Sequence, residues 1–146
     1  MSKEESRAAA LKQACDGGDM RACSNLGATY AKGKGAAKDE SRAVALYNQA
    51  CDGGDVCGCT NLGAMYASGA GVAQDYGRAV ALYKKACDSG EPVGPLACNN
   101  LAGLYASGKG VAKNESHAAV LCKRARDGGL NNACSGFTIS NVTFEK

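Results

Sequence analysis

Ala14-Cys15-Asp16-Gly17-Gly18-Asp19 returns 36 residues later as Ala50-Cys51-Asp52-Gly53-Gly54-Asp55, and after the same step again as Ala86-Cys87-Asp88-Ser89-Gly90. A second string recurs with it. Ala22-Cys23-x-Asn25-Leu26-Gly27-x-x-Tyr30 is matched by Cys59, Asn61, Leu62, Gly63 and Tyr66, and then by Ala97-Cys98-Asn99-Asn100-Leu101 ending at Tyr105. The last step is 39, because Glu91 to Pro95 carries three extra residues. Self-similarity at this period marks a repeat architecture, in which each unit is one supersecondary element.

The two segments of a unit read as helices. Leu26 and Tyr30, Leu46 and Ala50, Leu62 and Tyr66, and Leu82 and Ala86 are each four apart, with no strand-like alternation. The first helix of a unit ends in a Gly-x-Gly turn, at Gly33/Gly35, Gly69/Gly71 and Gly108/Gly110, where glycine supplies a left-handed stop. The second starts after Asp39, Asp75 or Asn114, whose short side chains accept from the exposed N–H groups of a first turn. Gly27 and Gly63 fall in mid-helix, at a cost of about 1 kcal/mol against alanine, which points to close approach of the partner helix. One pair cannot bury its apolar stripe alone, but stacked pairs can, so the expected fold is an all-α solenoid of antiparallel helix pairs. A single repeat domain is expected over 1–146. It divides into an N-terminal half-unit 4–19, repeats 20–55, 56–94 and 95–130, and a C-terminal half-unit and tail 131–146.

The composition agrees with close helix packing. Aromatic residues make up 5% and tryptophan is absent, so contacts must be made largely through small side chains. The net charge of +3 comes from mixed signs without a basic block, which argues for solvated helix faces and against nucleic-acid binding. Nine cysteines favour a disulfide framework in an oxidising compartment. Metal binding in a reducing one is the competing reading, weakened because no pair of zinc-like CxxC motifs exists. Met1 to Gln13 is charged without an apolar core segment, so neither a signal peptide nor a membrane span is expected within this sequence. Export would require a leader already removed or an unconventional route.

Leu26-Gly27-x-x-Tyr30, Gly33-x-Gly35, Asp39-x-x-Arg42-Ala43 and Tyr47-x-x-Ala50 are followed by Leu62-Gly63-x-x-Tyr66, Gly69-x-Gly71-Val72, Asp75-x-x-Arg78-Ala79 and Tyr83-x-x-Ala86. Over about residues 4–135 this pattern resembles the Sel-one-like repeat family, a relative of the tetratricopeptide repeats. The cysteine placement resembles the Helicobacter cysteine-rich protein branch, in which cysteines with seven residues between them join one helix pair to the next. The resemblance implies disulfides Cys15–Cys23, Cys51–Cys59 and, over a longer link with Pro92 and Pro95, Cys87–Cys98. In the fourth unit Arg126 stands where the cysteine should be and Cys122 where tyrosine was. A Cys122–Cys134 bridge is therefore displaced by a helical turn, about 5.4 Å, enough to prevent it unless the backbone moves.

The resemblance further implies a right-handed superhelix whose concave face, lined by the first helices, binds other proteins. Asn25, Asn61 and Asn100 recur there. Their amides could hold a peptide backbone or bond within the fold. The variable positions Thr29, Lys32, Met65, Ser68, Leu104 and Ser107 are the candidates for specificity. A monomeric, non-enzymatic scaffold without cofactor, acting on a protein or peptide in a secreted or periplasmic setting, is the leading expectation. The mitochondrial intermembrane space is the alternative location. Some members of the branch are described as penicillin-binding proteins with weak β-lactamase activity, which gives an enzymatic alternative. No Ser-x-x-Lys motif and no nucleophile–base pair supports it here. A third reading, a redox or soft-metal protein, rests on Cys57, Cys59 and the irregular Cys122 and Cys134. The counterparts of Cys57 are Arg21 and Leu96, so the repeat does not require it. It is expected as a free thiol, with a reactive thiol, an intermolecular bridge or a soft copper ligand shared with Cys59 as the functional readings, and an incidental thiol or scrambling with Cys51 as the plain ones. His117, the one histidine, aligns with Arg42 and Arg78 and reads as a solvated helix residue. The tail from Phe137 to Lys146 loses the repeat and favours extended structure.

Overall fold

The computed structural model describes residues 1–135. The expectation for Phe137 to Lys146 lies outside the described residues. Among the described residues there are seven helices and no strand, falling into two compact units that meet in sequence at Gln74 and Asp75. The first unit holds α1 (Lys3–Asp16), α2 (Met20–Lys32), α3 (Glu40–Asp52) and α4 (Val56–Ser68); the second holds α5 (Tyr76–Cys87), α6 (Gly94–Ser107) and α7 (Glu115–Asp127). The fold is all-α and built from packed helix pairs.

The helix ends follow the side chains that define them. Asp39 accepts from Arg42 N at 3.0 Å, Asp75 from Arg78 N at 3.0 Å and Asn114 from His117 N at 2.9 Å. Two further caps went unread in the sequence. Ser2 and Glu5 form a reciprocal capping box on α1, with both bonds at 3.1 Å, and Asp19 accepts from Ala22 N at the start of α2. Pro95 stands in the first turn of α6, where its missing N–H costs nothing. The extra residues of the third unit therefore end inside a helix.

The Gly-x-Gly turns have two separate causes. Gly33, Gly69 and Gly108 take φ near +70° as C-caps. The second glycine also has positive φ, and it lies against the backbone that begins a neighbouring helix. Gly35 abuts Glu4, Gly71 abuts Glu40 and Gly110 abuts Tyr76, each so closely that a Cβ would overlap the main chain.

Small residues let the helices touch. Ala43 and Ala50 in the first unit, and Ala79, Ala86, Ala118 and Ala125 in the second, have no exposed surface. Gly27 gives the expected close approach its partner: a Cβ there would stand 2.7 Å from the Tyr47 ring. Tyr47 is thus able to lie against α2 at Gly27. Leu26 and Leu62 in the first unit, and Leu101 and Leu121 in the second, are among the larger buried side chains, each stabilising by about 1.5–3 kcal/mol when fully buried.

Candidate functional site: the staples and an open groove

Eight cysteines lie in disulfide positions. Cys15–Cys23 and Cys51–Cys59 span the tight Asp-Gly-Gly links with Cα–Cα distances of 4.7 and 4.6 Å. Cys87–Cys98 keeps 4.7 Å although its loop is three residues longer. One glycine of each of these three links takes positive φ, at Gly18, Gly54 and Gly90, which turns the chain sharply between the two cysteines.

The fourth pair, Cys122–Cys134, forms by the backbone movement that its register demands. Cys122 occupies the buried tyrosine position of α7. Residues 131–135 are turns rather than a helix start, and Cys134 sits at φ 64°, with Cα–Cα widened to 5.8 Å. Two polar contacts hold this turn. Asn99 Oδ1 accepts from Cys134 N at 2.7 Å. Arg126, standing where the other units have cysteine, donates from Nε and a terminal nitrogen to the Ala133 carbonyl at 3.4 and 3.3 Å. Cys57 lies outside the four disulfides and is half-buried. Cys59 is bonded to Cys51, so it has no thiolate to offer a soft metal together with Cys57. Among the described residues no group of three or more His, Cys, Asp or Glu is placed to hold a metal ion.

The sequence-derived partner residues separate into three groups. Asn25, Thr29 and Lys32 come together on α2 and line a groove of about 300 Å³ between α1 and α2. From α1 the groove receives Glu4, Arg7 and Leu11, and Lys34 closes it. Met65 and Leu104 do not belong to such a surface. They are 8% and 7% exposed, and at this register, half-buried as Thr29 in α2, they carry apolar side chains. Ser68 and Ser107 are exposed, but each hydroxyl donates to the carbonyl four residues back in its own helix, at 2.9 and 2.8 Å. Thr29 does the same to Asn25 O at 3.1 Å. The asparagines also differ. Asn25 is exposed, Asn61 is half-buried, and Asn100 hydrogen-bonds the buried Tyr83. Burial pushes the Tyr83 phenol up to about 12, and the Asn100 bond works against that rise.

His117 is exposed but not alone in solvent: its ring meets the edge of Tyr105 at 4.3 Å between centroids. Arg42, at the same repeat position, covers Tyr30 at 5.1 Å and donates to its hydroxyl. In these two cases the position shields the tyrosine near the end of a first helix, and only the planar, cationic or aromatic character of its side chain hinted at that.

The family model of the Sel1 repeat matches residues 21–55, 58–91 and 95–130, more than half of the chain. The chain belongs to the Sel1 repeat family. No curated protein matched it. Three solved Sel1-like structures are similar. A protective antigen present in uropathogenic Escherichia coli strains, displaying an SLR fold, is 33% identical with a TM-score of 0.78, over 84% of this chain and 26% of that one. A Sel1 repeat protein from Oxalobacter formigenes is 30% identical with a TM-score of 0.73, over 79% and 46%. Helicobacter pylori cysteine rich protein B is 25% identical with a TM-score of 0.70, over 93% and 98%. The present chain thus spans about a quarter and about half the length of the first two. Its four disulfides and its likeness to the cysteine-rich protein are consistent with an oxidising compartment outside the cytoplasm. Among the described residues no helix is long and apolar enough to cross a membrane.

Proposed function

We propose that this Sel1 repeat protein is a non-enzymatic scaffold that binds a protein or peptide, as a monomer, through the exposed face of its first helices. One observation carries this reading: Asn25, Thr29 and Lys32, three first-helix positions, converge on the open groove between α1 and α2. Repeats of this family are in general protein-interaction scaffolds. Within each unit the remaining contact positions are those that stay accessible, Asn61 and Ser68 on α4 and Asn100 and Ser107 on α6. Covalent staples suit such a role. They hold helix pairs at fixed angles before a partner arrives, so less ordering accompanies binding. The same staples support a secreted or periplasmic location.

The test is selection from a displayed random-peptide library on the purified, oxidised protein. Selected peptides should lose about tenfold or more in affinity against the triple variant Asn25→Ala, Thr29→Ala, Lys32→Ala, with the far-ultraviolet CD spectrum unchanged. Peptides that bind the variant undiminished would remove the groove from the site. A library that yields no specific binder would remove the scaffold reading itself.

A further inference from the structure

The repeat shows what kind of object the α1–α2 groove is built to take. Thirty-six residues on, the corresponding surface lies between α3 and α4, and there α2 packs against both helices. In that filled groove, Ala43 and Tyr47 are buried and Gly27 of α2 lies against the Tyr47 ring. The same register in the first two helices places Arg7 for Ala43, Leu11 for Tyr47 and Thr29 for Met65. Arg7 is exposed, and Leu11 and Thr29 are half-buried. Among the described residues the α1–α2 groove is therefore a helix berth with its floor open to solvent.

Its charge specifies the occupant. Arg7, Lys32 and Lys34 line it against a single carboxylate, Glu4. None of the three cations is among the ion pairs formed by the described residues. At the equivalent positions stand Ala43, buried under α2, and, on the rim of the filled groove, the half-buried Ala70 and the exposed Ser68, all neutral. Leu11 and Ala28 supply an apolar floor between the cations. We infer that the α1–α2 groove binds one amphipathic helix of a partner protein, laid in as α2 lies on α3 and α4, with small or apolar residues on Leu11 and acidic residues toward Arg7, Lys32 and Lys34. Helix-in-groove recognition of this kind reads a stripe at helical spacing, and the charges select the partner and its direction. The inference rests on the scaffold reading above and names the chemistry of its ligand.

The experiment uses the full oxidised chain and three labelled synthetic peptides, followed by fluorescence anisotropy. The first carries an Ala/Leu stripe flanked by Glu. The second replaces every Glu by Lys. The third is the first with a central proline, which breaks the helix. The first should bind at least about tenfold more tightly than either control, and its affinity should fall as salt is raised. The variant Arg7→Glu, Lys32→Glu, Lys34→Glu should reverse the preference and favour the Lys peptide. If that variant does not fold by CD, the milder Arg7→Gln, Lys32→Gln, Lys34→Gln replaces it and should weaken the Glu peptide alone. Equal binding of the proline peptide would overturn the helix berth, and equal binding of the Lys peptide would overturn the acidic specificity. Sedimentation showing a dimer that the charge variant dissolves would make a second copy of this chain the occupant and also overturn it. Failure of all three peptides, while library-selected peptides still bind, would overturn this inference and leave the scaffold reading standing.

Discussion

At the scale of single residues, Gly27 shows packing overruling helix propensity. Alanine there would favour the helix by about 1 kcal/mol, yet its methyl would meet Tyr47 Cε1 at 2.7 Å. Overpacking of this kind costs typically about 1–3 kcal/mol. Gly27→Ala should therefore be neutral to destabilising by about 2 kcal/mol in urea unfolding; a gain in stability would show that the ring moves aside freely. The last pair points the same way. Ala102 stands where Gly27 does and Cys122 where Tyr47 does, and both are fully buried. A smaller partner makes room for the methyl. The close approach was legible because a costly glycine recurs at one register. Its partner was not, because Tyr47 is distant in the chain and only the packing brings it there.

At the scale of elements, the link after α7 shows how a staple survives a change of register. The disulfide moved a turn back along the helix to Cys122, and the vacated position became Arg126, which binds the Ala133 carbonyl with a two-nitrogen fork. Truncation leaves that half-buried carbonyl to water or to nothing. Arg126→Ala is thus expected to lower stability by about 1–2 kcal/mol in urea titration, and Arg126→Lys to restore only part of it, because an ammonium lacks the fork. A neutral Arg126→Ala would mean that the disulfide alone sets the turn. Cap residues were legible at this scale because an N-cap acts within three residues: Asp39, Asp75 and Asn114 all cap as their position suggests. The reason for Gly35, Gly71 and Gly110 was not legible, since the main chain they abut belongs to another helix.

For the molecule as a whole, stability should depend on pH at the alkaline end. Burial raises the phenols of both Tyr47 and Tyr83, the latter to about 12. An unfolded tyrosine loses its proton near pH 10. Between pH 10 and 12 the unfolded chain therefore binds fewer protons than the folded one, and stability falls as pH rises; below pH 10 these groups give no slope. The urea midpoint should decline across that window, and Tyr83→Phe should remove part of the decline. An unchanged slope would show that Tyr83 reaches solvent before it ionises. The all-α repeat architecture was legible because identical strings return at a fixed step. The partner-facing set was only partly so. Asn25, Thr29 and Lys32 share a groove, but Met65 and Leu104 are buried, since spacing alone places a residue on a helix face without saying which neighbour covers it.

The α5–α6 link has a consequence for engineering. Three added residues lengthened it while the Cα atoms of its cysteines stayed 4.7 Å apart, so loop length and bridge geometry are uncoupled there. Glu91 and Pro92 lie exposed on that excursion. A foreign epitope or dye-bearing tag grafted between them would sit on a tether already closed at its base. The same graft between Gly33 and Gly35 would push apart two backbones in contact.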